Sequence, residues 1–295
     1  MNRFYSPFFR TERAEPLALF RILTGATLLV TLLMDLPWVS DYFADTGYFT
    51  QDVIAQGWTT LHVFFPLRAA SIVHVLYSLL LISVLLVIVG YKTRSVSIVS
   101  FLLLLGFHER DWWIYTSGDN LMRILLFYLV ITDSGAAYSI DARVRRKQGG
   151  APRLVPRWHR LIIKYQASVV YLVAAVAKSG TLWLSGSAVY YVLVNPNFAR
   201  TPLDWLAEVP WLVKIMTWGT LLIEWTVPFL LWFSRTRLIA VALVSVLQLA
   251  IFATMNIGTF PLIGIVVVLV CLEKSDIDAV RDVAFRGFEA RRPAL

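Results

Sequence analysis

The sequence predicts an all-α protein, a polytopic membrane bundle of about eight transmembrane helices with both termini in the cytoplasm. Of the 295 residues, 58% are hydrophobic and only 16% are charged, and the mean hydropathy is +0.67. A soluble domain of this size would need far more charge to cover its surface. Long apolar stretches recur along the whole chain, and most basic residues lie in the loops between them.

Eight apolar segments have the length and composition of helices. They are residues 17–36, 70–89, 95–107, 119–132, 158–178, 211–233, 237–255 and 257–272. The fourth and the eighth are short for a hydrocarbon core about 30 Å thick, so we expect tilting, local thinning or burial within the bundle. Pro228 and the glycine and proline residues between 258 and 264 predict kinked or broken helices.

The charges of the loops predict the orientation. Basic residues cluster at 92–94, 143–157 and 235–237 and in the tail, whereas acidic residues dominate at 35–52 and 204–208. Because basic loops stay on the cytoplasmic side, both termini are expected there. We therefore assign residues 16–273 to a single membrane domain in the plasma membrane and 274–295 to a short cytoplasmic tail.

Composition also narrows the function. The net charge of +8 is carried by these loops, so it does not indicate a nucleic-acid partner. The single cysteine, Cys271, excludes an intrachain disulfide and any multi-cysteine metal site. The four histidines have no metal-binding spacing, and we expect no metal. The motifs of nucleotide-binding proteins and of serine hydrolases are not present in the sequence.

The predicted topology places several ionisable residues at the extracytoplasmic ends of their helices. They are His108, Glu109, Arg110, Asp111, Asp119, Arg123 and Lys178, and six tryptophans lie on the same side, at 58, 112, 113, 183, 205 and 211. The tryptophans are typical of an interfacial aromatic belt. Such a group of charges indicates either a site of catalysis or transport, or an ordinary polar rim.

Lys178 ends an apolar helical run and is followed by small residues and Trp183. A lysine at hydrocarbon depth costs about 2.5–3.5 kcal/mol on insertion scales, so it is a functional-site hypothesis by default. A lysine that burial keeps neutral is a strong base. The alternative is an anchor at the membrane interface, with the lysine stem in lipid and the ammonium in water.

Four further charged residues have predicted structural or functional roles. Asp119 is expected to cap the N-terminus of its helix and, four residues before Arg123, to pair with it; alternatively Arg123 holds an anionic or quinone-like oxygen. Glu224 lies deep in its segment and must face the bundle interior, protonated or paired with Lys178 or Arg123. Arg21, close to the cytoplasmic end of the first segment, is expected to snorkel to water.

Several segments, in order along the chain, carry a resemblance to a known family. They are residues 16–25, 45–49, 108–127 and 138–141, then Lys178 with Trp183, and finally 258–261. Together they resemble the HTTM proteins, bacterial relatives of the membrane part of vitamin K-dependent γ-glutamyl carboxylase. The resemblance spans nearly the whole chain and implies a protein of the bacterial inner membrane.

The resemblance implies a quinol-dependent, carboxylase- or epoxidase-like site on the extracytoplasmic side, with a reduced quinone of the vitamin K type as cofactor. Lys178 stands where the carboxylases keep the lysine thought to act as base, and Asp119 and Arg123 would orient an oxygen. Residues expected to bind the substrate or the quinone are His108, Arg110, Trp183, Glu224 and Gln248.

The sequence also departs from the carboxylases, which carry a histidine where this chain has Asp119 and another where it has Gln248. Carboxylases add a large extracytoplasmic domain after the membrane part, whereas 274–295 is predicted to be cytoplasmic. Other members of the family serve peptide-toxin maturation. Three functions follow: an enzyme acting on a secreted peptide or protein, a non-enzymatic maturation or accessory subunit of a membrane complex, and a small-solute transporter with Glu224 as proton site. The sequence has no detectable internal repeat, which argues against the transporter.

Overall fold

The computed structural model describes residues 6–48, 69–110, 114–200, 203–273 and 276. Within these ranges the chain is almost entirely helical, which confirms the predicted all-α class. Some sequence predictions fall outside the described residues: those for Phe49, Asp52, Trp58, Asp111, Trp112 and Trp113, and those for the tail from 277 onwards.

Each of the predicted apolar segments forms a helix in the described part of the chain. The helices are α1 (Glu15–Asp35), α2 (Ala70–Val89), α3 (Thr93–Arg110), α4 (Ser117–Ile131), α5 (Trp158–Ala177), α6 (Pro210–Leu230), α7 (Arg237–Thr254) and α8 (Phe260–Leu269). Four stretches are long and apolar enough to cross a membrane: Glu15–Phe43, which continues α1, and helices α2, α5 and α7. The number of spans and the orientation stay predictions.

Shorter elements connect these helices. The short helices are Ser6–Phe9, Leu36–Trp38, Val39–Phe43, Ser134–Ala136, Ile140–Lys147, Thr181–Leu184, Ala188–Val194 and Asp204–Ala207. Two strands of two residues each, β1 (Thr11–Glu12) and β2 (Val155–Pro156), pair antiparallel with Thr11 opposite Pro156. This small ribbon joins the start of the chain to the segment that enters α5.

Helix α8 occupies the centre of the bundle, because it packs against α1, α4, α5 and α7. Its side chains Ile263, Val266 and Val267 are buried in a core that runs from Ala14 to Cys271. Burial among its neighbours explains how a helix of 10 residues fits this fold. By contrast, α2 and α7 expose large apolar side chains on their outer faces, as helices in contact with hydrocarbon do.

The prolines affect the helices less than the sequence predicts. Pro228 lies inside the last turn of α6, which continues to Leu230 without a break. Pro261 lies in the first turn of α8, where its missing N–H costs nothing. Gly258, with a φ of +61°, makes the turn before α8. The predicted break near residue 260 is therefore the start of a helix.

Arg21 does not snorkel, and that prediction is wrong. The residue is 0% exposed, and its guanidinium donates to the carbonyl oxygens of Ser134 at 2.7 Å and Tyr138 at 2.6 Å. Longer bonds reach the carbonyls of Ala137 at 3.3 Å and Ile88 at 3.5 Å. Ile88 lies in the last turn of α2, and the other three carbonyls follow α4. Arg21 therefore connects α1 to the end of α2 and to the segment after α4, and its guanidinium is bonded to protein instead of water.

An ion network joins the beginning of the chain to the segment after α8. Arg160 binds Glu12 with a shortest contact of 2.8 Å and Glu273 at 3.1 Å. Arg237 binds the same Glu273 at 2.9 Å and Asp276 at 2.8 Å. Burial would raise the pKa of Glu273, but hydrogen bonds and positive charge from Arg160 and Arg237 outweigh it and lower that pKa below its ordinary value.

Candidate functional site

Lys178, Trp183 and Glu224, all expected at the site, meet where α5 ends beside α6. The Nζ of Lys178 donates to Oε1 of Glu224 at 2.8 Å. The same nitrogen lies 5.5 Å from the ring centroid of Trp183, within cation–π range. The prediction that Glu224 faces the bundle interior and is paired is confirmed, and its partner is Lys178 rather than Arg123.

This pair spans the boundary between the interior and the rim. The side chain of Glu224 is 7% exposed, whereas that of Lys178 is 25% exposed. Atom Oε2 of Glu224 is buried and has no hydrogen-bond partner among the described residues. Lys178 is thus neither a free interfacial anchor nor enclosed in a dry pocket, since one end of the pair is buried and the other reaches the surface.

A second polar group lies deeper, between α5, α7 and α8. The hydroxyl of Tyr171 donates to the carbonyl of Gly264 at 3.0 Å, and Nε2 of Gln248 donates to that hydroxyl at 3.2 Å. Oε1 of Gln248 is buried, and no group in the described part of the chain bonds to it. The sequence analysis selected Gln248 but missed Tyr171, which lies two turns before Lys178 and hence on the same face of α5.

A cavity of about 380 Å³ opens beside the start of α4. Its size is within the range of small-molecule sites. Most of the lining is apolar or aromatic, including Leu28, Phe43, Tyr77, Phe107, Met122, Phe260 and Ile263. The polar lining includes Asp35, His108, Thr116, Asp119 and Thr259. Two of the predicted site residues, His108 and Asp119, therefore share this cavity, whereas Lys178, Glu224, Arg123 and Arg110 are not part of its lining.

The contacts of Asp119 and Arg123 differ from those predicted. Thr116, not Asp119, is the N-cap of α4, and Oδ2 of Asp119 accepts from the N–H and the hydroxyl of Thr116, both at 2.8 Å. Arg123 binds Glu109 at 2.8 Å and Asn120 at 3.1 Å. The expected cap by Asp119 and the Asp119–Arg123 pair are both wrong, because Asp119 turns back to close a capping box and Arg123 turns across to α3.

His108 and Arg110 lie close in sequence but in different surroundings. His108 is 8% exposed, and its ring centroid lies 4.0 Å from that of Tyr115. Its Nδ1 is buried and has no hydrogen-bond partner within the ranges that the structure describes. Arg110 is also buried, near Val73 and Leu76 between α2 and α3. The structure thus brings His108 to the cavity and leaves Arg110 outside it.

Asp35 is the second carboxylate in the cavity lining, beside Asp119, and it was not among the predicted site residues. It is the last residue of α1 and was counted only as part of an acidic loop. A carboxylate at the end of an apolar helix, followed by the aromatic residues Trp38, Tyr42 and Phe43, was the available signal. Next to it, the hydroxyl of Tyr77 donates to the carbonyl of Leu32 at 2.7 Å and is fixed in place.

The apolar helices, the buried ion pair and the cavity at the helix ends define a helical membrane protein with a polar site near one end of the bundle. The chain belongs to the HTTM domain family, whose model matches residues 9–275. The resemblance predicted from the sequence is therefore confirmed, and the match includes both the Lys178–Glu224 pair and the cavity. No solved structure matches the chain.

Proposed function

We propose that this protein is a multi-pass enzyme of the bacterial plasma membrane, quinol-dependent and carboxylase- or epoxidase-like, with Lys178 as its base. The observation that carries the proposal is the 2.8 Å contact between Lys178 and the buried Glu224, beside Trp183. An ion pair in apolar surroundings is a weak source of stability, because removing both charges from water offsets most of their attraction. A functional role gives a reason for its presence.

The pair offers a route for a proton. Lys178 acts as a base only as a neutral amine, and Oε1 of Glu224 is near enough to accept the ammonium proton directly. Transfer leaves an amine next to a carboxylic acid, two neutral groups that are less costly in apolar surroundings than two ions. The exposed quarter of the Lys178 side chain would then face the substrate, while Glu224 holds the proton inside.

The cavity fits the headgroup of a reduced quinone. Its apolar and aromatic lining suits a ring, and the carboxylates of Asp35 and Asp119 accept hydrogen bonds from hydroxyl groups. Atom Nδ1 of His108 is buried and has no partner among the described residues, so it could form a hydrogen bond with a hydroxyl group of the quinol. A bound quinol would supply reducing equivalents; binding and orienting it would be the task of His108, Asp35 and Asp119.

The decisive experiment compares Lys178→Arg with Lys214→Arg in protein reconstituted in liposomes with a reduced quinone. Arginine keeps the charge and the contact with Glu224 but cannot become a neutral base. Quinol-dependent activity is expected to disappear in Lys178→Arg and to persist in Lys214→Arg, whose lysine is exposed on α6. Full activity in Lys178→Arg, with both proteins folded, would end the enzymatic proposal.

A second candidate is a non-enzymatic maturation or accessory subunit. It is favoured by the contacts that the predicted catalytic residues already make, since Asp119 accepts hydrogen bonds from the N-cap Thr116 and Arg123 is bound by Glu109. Exposed Leu184, Trp205 and Trp211 would then offer a surface to a partner subunit or a secreted peptide. In that case Lys178→Arg leaves maturation of the partner unchanged, while substitution of Trp205 by Ala impairs it.

A further inference from the structure

A groove lies between the end of α2 and the short helix Ile140–Lys147. It has a volume of about 490 Å³, and its lining includes Val89, Tyr138, Ile140, Arg143 and Arg146. We call it the basic groove. Two arginines contribute to the lining and no carboxylate does. It is separate from the cavity that contains His108 and from the Lys178–Glu224 pair.

Neither Arg143 nor Arg146 has a side-chain hydrogen bond or an ion pair within the described residues. The one carboxylate on their helix, Asp141, is already used: it accepts from the backbone N–H groups of Lys92 and Thr93, both at 2.8 Å, and from the Thr93 hydroxyl at 2.7 Å. Being three residues apart on a helix, the two arginines share a face. The basic groove therefore carries two positive charges that no described residue neutralises.

The other wall of the basic groove is apolar and exposed. Val89 is 45% exposed, Tyr138 66% and Ile140 38%. Val89 is the last residue of α2, a helix long and apolar enough to cross a membrane. Because α2 is expected to cross the membrane, a groove at its end is expected to lie where the hydrocarbon meets the headgroup layer, with Val89 and Ile140 on the apolar side and the arginines beside the headgroups.

We propose that the basic groove binds an anionic phospholipid, with the phosphate held by Arg143 and Arg146 and the upper acyl chain lying against Val89 and Ile140. Arginine suits a phosphate because its planar guanidinium donates two parallel hydrogen bonds. A zwitterionic headgroup carries its own cation, which offsets the charge of its phosphate and repels the arginines. Phosphatidylglycerol keeps one net negative charge, and its phosphate oxygens can accept hydrogen bonds from both guanidinium groups.

The test is a lipid titration of the purified full-length chain in detergent, followed by native mass spectrometry. Phosphatidylglycerol is expected to bind more tightly than phosphatidylcholine with the same acyl chains. Each basic residue near an anionic lipid contributes about a fivefold gain, so Arg143→Gln/Arg146→Gln should lose roughly 30-fold and Arg146→Gln alone about fivefold. The matched control is Arg145→Gln/Lys147→Gln, which removes the same charge from the same helix outside the groove.

Three results would overturn the proposal. Equal losses in the two double variants would mean that only the overall charge matters. Equal binding of phosphatidylglycerol and phosphatidylcholine would remove the headgroup preference. Competition by glycerol phosphate at the same concentration as the lipid would show that the apolar wall contributes nothing. Because Arg143 and Arg146 are exposed, the variants are expected to fold, and circular dichroism checks this.

Discussion

Glu224 and Arg21 show how differently two buried charged residues can be held in this fold. Among the described residues, Glu224 is held by a single ion pair, with one oxygen bonded and the other unpartnered. Arg21 is held by backbone carbonyls, and no acid is among its hydrogen-bond partners in the described part of the chain. The first arrangement can exchange a proton, whereas the second can only hold structure.

Glu224 is expected to tolerate Gln better than Ala. Gln keeps a hydrogen bond to Lys178, whereas Ala leaves the lysine without this partner. Removing one partner of a buried ion pair lowers the unfolding free energy by about 3–5 kcal/mol. We expect a value near the lower end of that range, because Lys178 is partly exposed. Thermal unfolding in detergent measures the difference. Equal destabilisation by Gln and Ala would show that the contact with Lys178 does not stabilise the protein.

Arg21→Lys is expected to destabilise the protein although the charge is kept. An ammonium cannot reach the carbonyls of Ser134, Tyr138 and Ile88 from one point, and each buried carbonyl left unpaired costs about 1–3 kcal/mol. Arg94→Lys, at an exposed arginine, is the control. If both substitutions left the melting temperature unchanged, the snorkelling interpretation would have to be reinstated.

At the scale of elements, the end of α2 depends on a glycine. Gly90 has a φ of +70°, and its N–H donates to the carbonyl of Leu86 at 2.9 Å. A Cβ at this position would collide with Cβ of Ser139 and approach the guanidinium of Arg21 to 3.0 Å. Close packing and the left-handed backbone thus both require glycine here.

Gly90→Ala is therefore expected to destabilise more than Gly149→Ala. Both glycines have positive φ, with a cost of about 1–2 kcal/mol for alanine, but a Cβ on Gly149 would meet nothing within 4 Å. Only Gly90→Ala adds a collision to that cost. Chemical unfolding of the two variants side by side measures the excess, and equal losses would mean that Ser139 moves aside freely.

The helices could be predicted from the sequence because hydropathy and length are properties of each segment alone. The pairing of Glu224 with Lys178 could also be anticipated, because a carboxylate deep in an apolar helix needs a cation and the sequence offers few. The partner of Arg123 and the surroundings of Arg21 were predicted wrongly, because Glu109 and Tyr138 lie on segments whose adjacency no periodicity reveals. Tertiary packing decided these contacts, and the cavity beside Asp35 depends on it as well.

At the scale of the molecule, the ion network around Glu273 links stability to pH. The folded-state pKa of Glu273 lies below the ordinary value of 4.5, so the folded state binds fewer protons than the unfolded state as the pH falls. Its contribution to stability is thus complete above about 4.5 and is lost as the pH drops through the folded-state pKa. Glu273→Gln should reduce the loss of stability between pH 5 and acid unfolding. An unchanged profile would mean that Glu273 is not coupled to folding.

The last prediction concerns the orientation of the whole chain in the membrane, on which every assignment of a side depends. The basic loops predict that Arg146 and Arg235 lie in the cytoplasm and that Asp45 and Glu208 lie on the opposite side. All four residues are exposed, so a cysteine at each can be labelled without unfolding the protein. Cys271, the native cysteine, is 0% exposed and should not react in the folded state. In intact cells, a membrane-impermeant maleimide should label cysteines at 45 and 208, whereas those at 146 and 235 should react only after the cells are opened. Labelling at 146 from outside would reverse the bundle, turn the Lys178–Glu224 pair towards the cytoplasm and place the basic groove in the outer leaflet.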